Sequence, residues 1–406
     1  MSPIRRASLD HLLAMTDDVG LLQHAVLDVP NRACGYCTDD AGRALIVACD
    51  AAARRATKAD GARLVSTYLA YLHDAQLPDG WFHDFMGYDR RWQDDRGTED
   101  AVGRAIWGLG YAERNAPRET WRTVARTMRR RAHDAIARLS YPRSRAYAAL
   151  GLSHVLASDA LALDFGAQAA DAPGPASRPH DTSADGLPAG TNDESEARAL
   201  LDRMLAPIAD AFDACATGDW RWCEDVLTYD NARLCEALLR GGAVLGADRY
   251  VRTGLEMLDF YSSVVIENHA TLGRIFVPVG SRGWYPRGGE KSRSGQQPLE
   301  AAAMVDAAFG AADVTGDARW SEIAEIAHAW YLGRNTHGIA VATESGCCDG
   351  LDDLPANAVH TVLNGPSASA PHVGLNPNMG AESTVCYLMS ANALANRSTP
   401  SLRVAR

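Results

Sequence analysis

Nine carboxyl side chains stand at or near the starts of helical patterns: Asp39, Asp40, Glu99, Asp100, Glu224, Asp225, Asp230, Glu300 and Glu382. Two carboxyls facing one acetal bond, one protonated and one ionised, are enough to cleave it, because the first assists the leaving oxygen and the second serves as base or nucleophile. Position divides the roles. Asp40, Asp100 and Asp230 fall in the first turn of apolar helices, where the helix dipole and free amides favour the ionised form. A general acid needs an apolar setting away from the helix end, which Glu224 meets in DWRWCED beside Trp222 and Cys223. Glu382, in GAEST, suits either role. Taken singly, each acid is equally well read as a helix cap or as a partner for Arg43, Arg104 or Arg233. Taken together, they point to catalysis.

The elements that must hold these acids repeat along the chain. TDDAGRAL (38–45) recurs as TEDAVGRAI (98–106) and TYDNARLCEAL (228–238), each with Thr, one or two acids, then a small-residue run carrying an Arg. Thr followed by acids is how an amphipathic helix begins. Segments 296–312 and 379–394 look like the same element with altered heads. The spacing predicts helices over 9–25, 39–55, 61–76, 99–115, 118–139, 143–158, 196–217, 230–245, 249–265, 297–315, 319–332 and 382–396, with a small extended excursion near 272–290. Every second helix is acid-headed and apolar, and its neighbours are more charged. That alternation predicts an all-α ring of helical hairpins, an (α/α)6 toroid of about twelve helices, with the acid-headed helices inside and the first helix pairing as the last outer one. The chain reads as a single domain over 1–406. Residues 166–195, dense in Ala, Pro, Gly, Asp and Ser, are expected to be a flexible insertion.

Composition narrows the function classes. With 406 residues and 47% hydrophobic content the chain can bury a large core. A net charge of −11 argues against nucleic acid, since phosphate backbones need clustered Lys and Arg. The one basic run, Arg126 to Arg138, reads as a solvated helix face. No apolar stretch approaches a membrane span or a signal-peptide core, so a cytoplasmic location is expected, with no membrane partner. Nine scattered cysteines fit reduced thiols, and neither Cys34 with Cys37 nor Cys347 with Cys348 has a second ligand pair at zinc spacing. Neither a phosphate loop nor a nucleophile elbow is present: GSRGWYPRGG lacks the following Lys-Ser or Lys-Thr, and GLSHV lacks its second Gly. No metal and no cofactor is called for.

The motifs GYCTDD, DGWFHDFMGYDRRW, GTEDAVGRAIWGLG, LTYDNARL, QQPLEA and NPNMGAEST resemble those of the six-hairpin glycosidase superfamily, and within it a bacterial glycosidase-like group often linked to glycosyltransferases and mannoside phosphorylases. The similarity spans most of the chain outside 166–195. It departs from the group's TDDNAR pattern at Ala41 and Gly42. The resemblance implies the toroid and an oligosaccharide substrate. Aromatic residues in loops suit pyranose faces, and polar neighbours suit hydroxyls. The expected substrate-binding set is Trp81, His83, Asp84, Asp89, Arg90, Trp92, Glu99, Trp222, Arg233, Trp284, Gln296, Gln297 and Glu300. Trp107, inside a helix, reads as core. Arg274, Arg282, Arg287 and Lys291 are candidates to receive phosphate. The expected activity is cleavage of a mannose- or glucose-containing oligosaccharide with inversion. The alternatives are a phosphorylase, an epimerase using histidines, or a non-catalytic glycan-binding partner of a glycosyltransferase. The epimerase is disfavoured because His83, His269, His360 and His372 lie off the acid-headed repeats.

Overall fold

The computed structural model describes residues 7–157, 191–343, 346–352 and 374–398. Among them are thirteen α-helices: α1 Asp10–Met15, α2 Thr38–Ala53, α3 Lys58–Ala75, α4 Glu99–Asn115, α5 Glu119–Arg131, α6 His133–Ala137, α7 Pro142–Leu156, α8 Thr191–Cys215, α9 Asn231–Leu245, α10 Asp248–Val265, α11 Pro298–Thr315, α12 Ala318–Ala329 and α13 Ala381–Ser398. Helices α2, α4, α7, α9, α11 and α13 pack each on the next, and α13 returns onto α2. This is a closed inner ring. Outside it, α3, α5, α8, α10 and α12 each lie against the inner helix of their own hairpin, and α1 lies against α13 as the sixth outer helix. The expected alternation of inner and outer helices holds in every position, although inner helix α7 has no acid in its first turn. The expected insertion lies outside the described residues up to 190, and its last residues, from Thr191, already belong to α8.

Among the described residues sheet structure is confined to short two-stranded pairs. Ile266–His269 pairs antiparallel with Gly273–Phe276, and Tyr285–Pro286 pairs with Val226–Leu227, which accounts for the extended excursion. The helices depart from the expected ranges at several ends, α8 starting five residues early at Thr191 and α12 stopping at Ala329, and two of the departures have a plain local cause. The first helix stops at Met15, because the Asp17 carboxylate accepts from the Val19 and Gly20 amides and turns the chain. The fifth breaks at Ala132, where the Gln76 side-chain amide takes the Met128 carbonyl and Gly80 abuts the Arg131 carbonyl.

Small residues let the inner helices approach closely. A Cβ on Gly108 would stand 2.1 Å from the Gly42 carbonyl oxygen, and one on Gly110 would stand 2.1 Å from that of Gly151. A Cβ on Gly42 would meet the Arg104 carbonyl at 2.5 Å, so the departure from Asn-Ala-Arg at this position serves helix packing. Backbone cannot yield as a side chain can. Gly110→Ala is therefore expected to destabilise the fold by about 3 kcal/mol, the upper end for overpacking. A denaturant midpoint unchanged from the parent protein would contradict this close-packed account of the ring.

Candidate functional site

The acid heads of the inner helices meet at one rim and bond to one another across the seams. Arg43 on α2 donates from Nη1 to Glu382 on α13 (3.0 Å) and from Nη2 to Asp40 on its own helix (2.9 Å). Arg104 on α4 donates from Nη1 to Asp39 on α2 (2.9 Å) and from Nη2 to the Tyr147 hydroxyl on α7 (2.9 Å). Ser144 on α7 donates to Asp100 on α4 at 2.5 Å, and Tyr147 donates to Asp230, at the head of α9, at 2.6 Å. The Asp230 amide in turn donates to Glu300 on α11 at 2.5 Å. At this rim side-chain bonds thus cross five of the six inner seams, and the sixth, between α11 and α13, is bridged near the helix C-termini by Arg397 and Asp313.

A cavity of about 390 Å³ opens on this rim. Its described lining includes Asp39, Asp40, Arg43 and Glu382 from the ring, Gln296 and Gln297 before α11, and loop residues His24, Arg282, Asp349 and Asp352. The electrostatics separate the carboxyls. Burial raises Asp40 to about 7 and Asp39 to about 6, with Arg43 and Arg104 opposing the rise respectively. Burial also acts on Glu382, but Arg43 and Arg104 outweigh it and hold this carboxyl below the usual glutamate range. Of the three acids on the two guanidiniums, Asp40 is where burial favours a proton most. The dipole argument for an ionised Asp40 therefore fails, because desolvation exceeds the helix-end effect.

Asp230, Glu300 and Arg233 belong to the buried network that continues from Arg104. Asp230 adopts φ 50° and ψ 37°, a left-handed conformation uncommon outside glycine, and its Oδ1 has no hydrogen-bond partner. Glu300 accepts the Asp230 amide and the Tyr261 hydroxyl, and burial beside Asp230 raises it to about 8. Arg233 binds Glu236 at 2.5 Å and Asp306 at 2.7 Å, and its guanidinium lies over the Trp107 ring.

Other expected residues have structural employment. Both Glu224 oxygens lie 2.9 Å from Arg143 Nη1, so this carboxyl lacks the apolar setting a general acid needs. Both Asp100 oxygens are taken, by Ser144 and by Tyr229. Trp222 is fully buried against Tyr261, so it presents no face to a ligand. Trp81 donates to the Gly97 carbonyl and is covered by Arg96. His83 stacks on Trp92 at 4.7 Å and binds Asp94, while Asp84 accepts from Thr98 and ties α2 to α4. Glu99 caps the Ser140 and Tyr141 amides. Arg90 reaches Asp18 at 2.8 Å, Asp89 is exposed beside it, and Trp284 packs partly buried against the core. None of these lines the cavity. Of the four basic residues considered for phosphate, Arg282 alone is in the described lining, and Arg274, Arg287 and Lys291 pair with Glu322, Asp225 and Glu267. His360 and His372 lie outside the described residues. Sequence reasoning missed His24, Asp349 and Asp352 as site residues. The last two sit in GCCDGLD, a loop whose acids carried no helical period to mark them.

Similarity in three dimensions decides the architecture. A cellobiose 2-epimerase from Bacillus thermoamylovorans superposes with a TM-score of 0.64 at 9% identity, covering 96% of this chain and 95% of that chain. The fold is an (α/α)6 toroid of six helical hairpins. A D-mannose isomerase matches this six-hairpin chain with a TM-score of 0.57 at 11% identity, over 95% of this chain and 93% of that one. A family 76 α-mannanase from Bacteroides thetaiotaomicron matches with 0.52 at 8% identity, over 89% and 86%. No family model and no curated protein matches the six-hairpin chain by sequence. Among the described residues no helix is long and apolar enough to cross a membrane.

Proposed function

We propose that this six-hairpin protein is an enzyme that cleaves a glycosidic bond in a mannose- or glucose-containing saccharide, with Asp40 as general acid and Glu382 as its ionised partner. The observation that carries this reading is Arg43, which grips two carboxyls of opposite character: Asp40 raised to about 7 and Glu382 held low. Asp40 gives its proton to the leaving oxygen. Glu382 either activates water, with inversion, or attacks directly, with retention. The Gln297 amide suits sugar hydroxyls at the cavity wall, whereas Gln296 is buried and spends its amide on the Arg293 carbonyl, Thr336 and Trp330.

The test is product analysis on a panel of mannosides and gluco-oligosaccharides, with and without phosphate, reading the first anomer released by NMR. Sugar-induced stabilisation without any turnover would replace the enzyme by a glycan-binding module. A second reading, epimerisation or isomerisation of a reducing sugar, draws support from the neighbours bearing those names and from His24 in the lining. Epimerisation by proton transfer needs carriers on both faces of one carbon, where the described lining offers one imidazole, whereas isomerisation needs a single carrier. Conversion of cellobiose or mannose to its isomer in the same assay would establish that reading instead.

The pH profile follows from the same assignment. Glycosidase turnover is expected to fall as pH rises through about 7, where Asp40 loses its proton, and Asp40→Asn is expected to remove that limb along with most activity. Stability moves in the same direction. These acids bind protons more tightly folded than unfolded, so their contribution is greatest in acid and declines as pH rises from the ordinary carboxyl range through about 7. A rate flat from pH 5 to about 9 would remove Asp40 from the acid role.

A further inference from the structure

The loop between α3 and α4 carries five aromatic residues, and four of them are engaged by protein. Trp81 lies under Arg96, Phe82 is buried, Trp92 stacks on His83 and abuts Tyr71, and Tyr88 stacks on Tyr36. Phe85 differs: it is 39% exposed, where the other described phenylalanines are buried or half-buried. Its place is fixed by a short antiparallel pair, Tyr36–Cys37 with Phe85–Met86, in which Tyr36 stands opposite Met86 and Cys37 opposite Phe85. Side chains alternate along a strand, and those opposite one another share a face. Tyr36 and Met86 take the buried face. Phe85 therefore shares the other face with Cys37, which lines the rim cavity, at a Cβ separation of about 5 Å.

The strand is held still. The Phe85 amide donates to Asp94 Oδ2 at 2.9 Å, and the Phe85 carbonyl accepts from the Gln93 amide at 2.9 Å. The preceding carbonyl, that of Asp84, accepts from the Thr38 amide at 2.9 Å. Thr38 begins α2, and Asp39 and Asp40 follow it into the cavity wall. An open ring on a fixed backbone, beside the acid head of an inner helix, offers a flat apolar surface that loses little freedom when a ligand covers it.

Resting on the saccharide reading above, we propose that Phe85 is the stacking platform for a second sugar ring, next to the unit held in the cavity, and that it makes the protein select di- and oligosaccharides over single sugars. A phenyl ring has no polar group, so it reads the C–H face of a pyranose and leaves the hydroxyls to the cavity. The discrimination is one of chain length.

Calorimetry on the intact protein tests this, with mannose and glucose beside mannobiose, cellobiose and the corresponding trisaccharides. The disaccharides are expected to bind about tenfold tighter than the single sugars, the gain from covering one face of a ring. Phe85→Ala should weaken the di- and trisaccharides about tenfold and the single sugars by less than about twofold, and Phe85→Tyr and Phe85→Trp should keep the parent preference. Phe85→Leu, apolar but without a flat ring, should lose most of it, and serves in place of the alanine variant should that one not fold. Equal binding of one ring and two by the parent protein, a loss in Phe85→Ala that is the same for every length, or a preference that survives in Phe85→Leu would overturn the platform and leave the saccharide reading standing. Failure of every saccharide to bind would overturn both.

Discussion

Glu382→Gln is expected to lower kcat by about a thousandfold while leaving saccharide affinity within a few-fold of the parent protein. The amide keeps the shape of the side chain and one acceptor for Arg43, so the rim is preserved. It cannot take a proton from water or attack an anomeric carbon, so the chemical step is lost. The substitution also moves Asp40. Glu382 is a like charge that helps raise the Asp40 pKa, and removing it lets Arg43 act on Asp40 alone. The basic limb of the residual rate should therefore shift to lower pH. Kinetics over the full pH range read both effects together. A loss below tenfold with the limb unmoved would mean that Glu382 merely pairs with arginine, and the catalytic reading of the cavity would fall with it.

Arg104→Met is expected to destabilise the protein by about 3–5 kcal/mol at neutral pH, the cost of stranding buried partners of a removed charge. Arg104 is buried, and its terminal nitrogens lie 2.9 Å from Asp39, 2.9 Å from Tyr147, 3.7 Å from Glu382 and 3.8 Å from Asp230. Methionine fills the volume but answers none of them. The carboxyls then gain protons more readily, so the deficit should narrow as pH falls toward 5, where Asp39 and Asp40 are neutral. Arg104→Lys keeps the charge and loses the fork, and should cost less. Urea unfolding at both pH values is the measurement. A loss under about 1 kcal/mol, or one equal at both, would show that the hub is not electrostatic.

The ring was legible because its signal is local and repeated. A polar head followed by small and apolar residues at helical spacing marks each inner helix, and the charged helices between them mark the outer layer. Even so, the three Thr-led heads are not equivalent. Thr98 is a true cap that accepts from the Ala101 amide, Thr38 lies within α2 after Cys37, and Thr228 stands outside α9, whose cap is the left-handed Asp230. Those differences depend on neighbouring chain, which one sequence does not display. The site was less legible for the same reason. Asp40, Glu382, Gln296 and Gln297 stand on repeats and could be found, whereas His24, Asp349 and Asp352 come from loops that only the closed ring brings together. Aromatic residues misled because a tryptophan in a Gly-rich loop serves packing as readily as ligand binding. Trp222 is buried against Tyr261 of α10, and Trp81 lies under Arg96 of its own loop.

The two acids on Arg43 come from opposite ends of the ring, Glu382 standing 339 positions beyond Arg43 along the chain, and they meet at the seam between α13 and α2. A ribosome that has delivered five hairpins has delivered Asp40 and Arg43 but not the acid that completes them. Closing the circle and assembling the chemistry are one event, and its entropy cost grows only slowly with the length of the loop it shuts. On the reading proposed above, the docking of α13 on α2 is therefore the step that both shuts the ring and brings the second acid to Arg43.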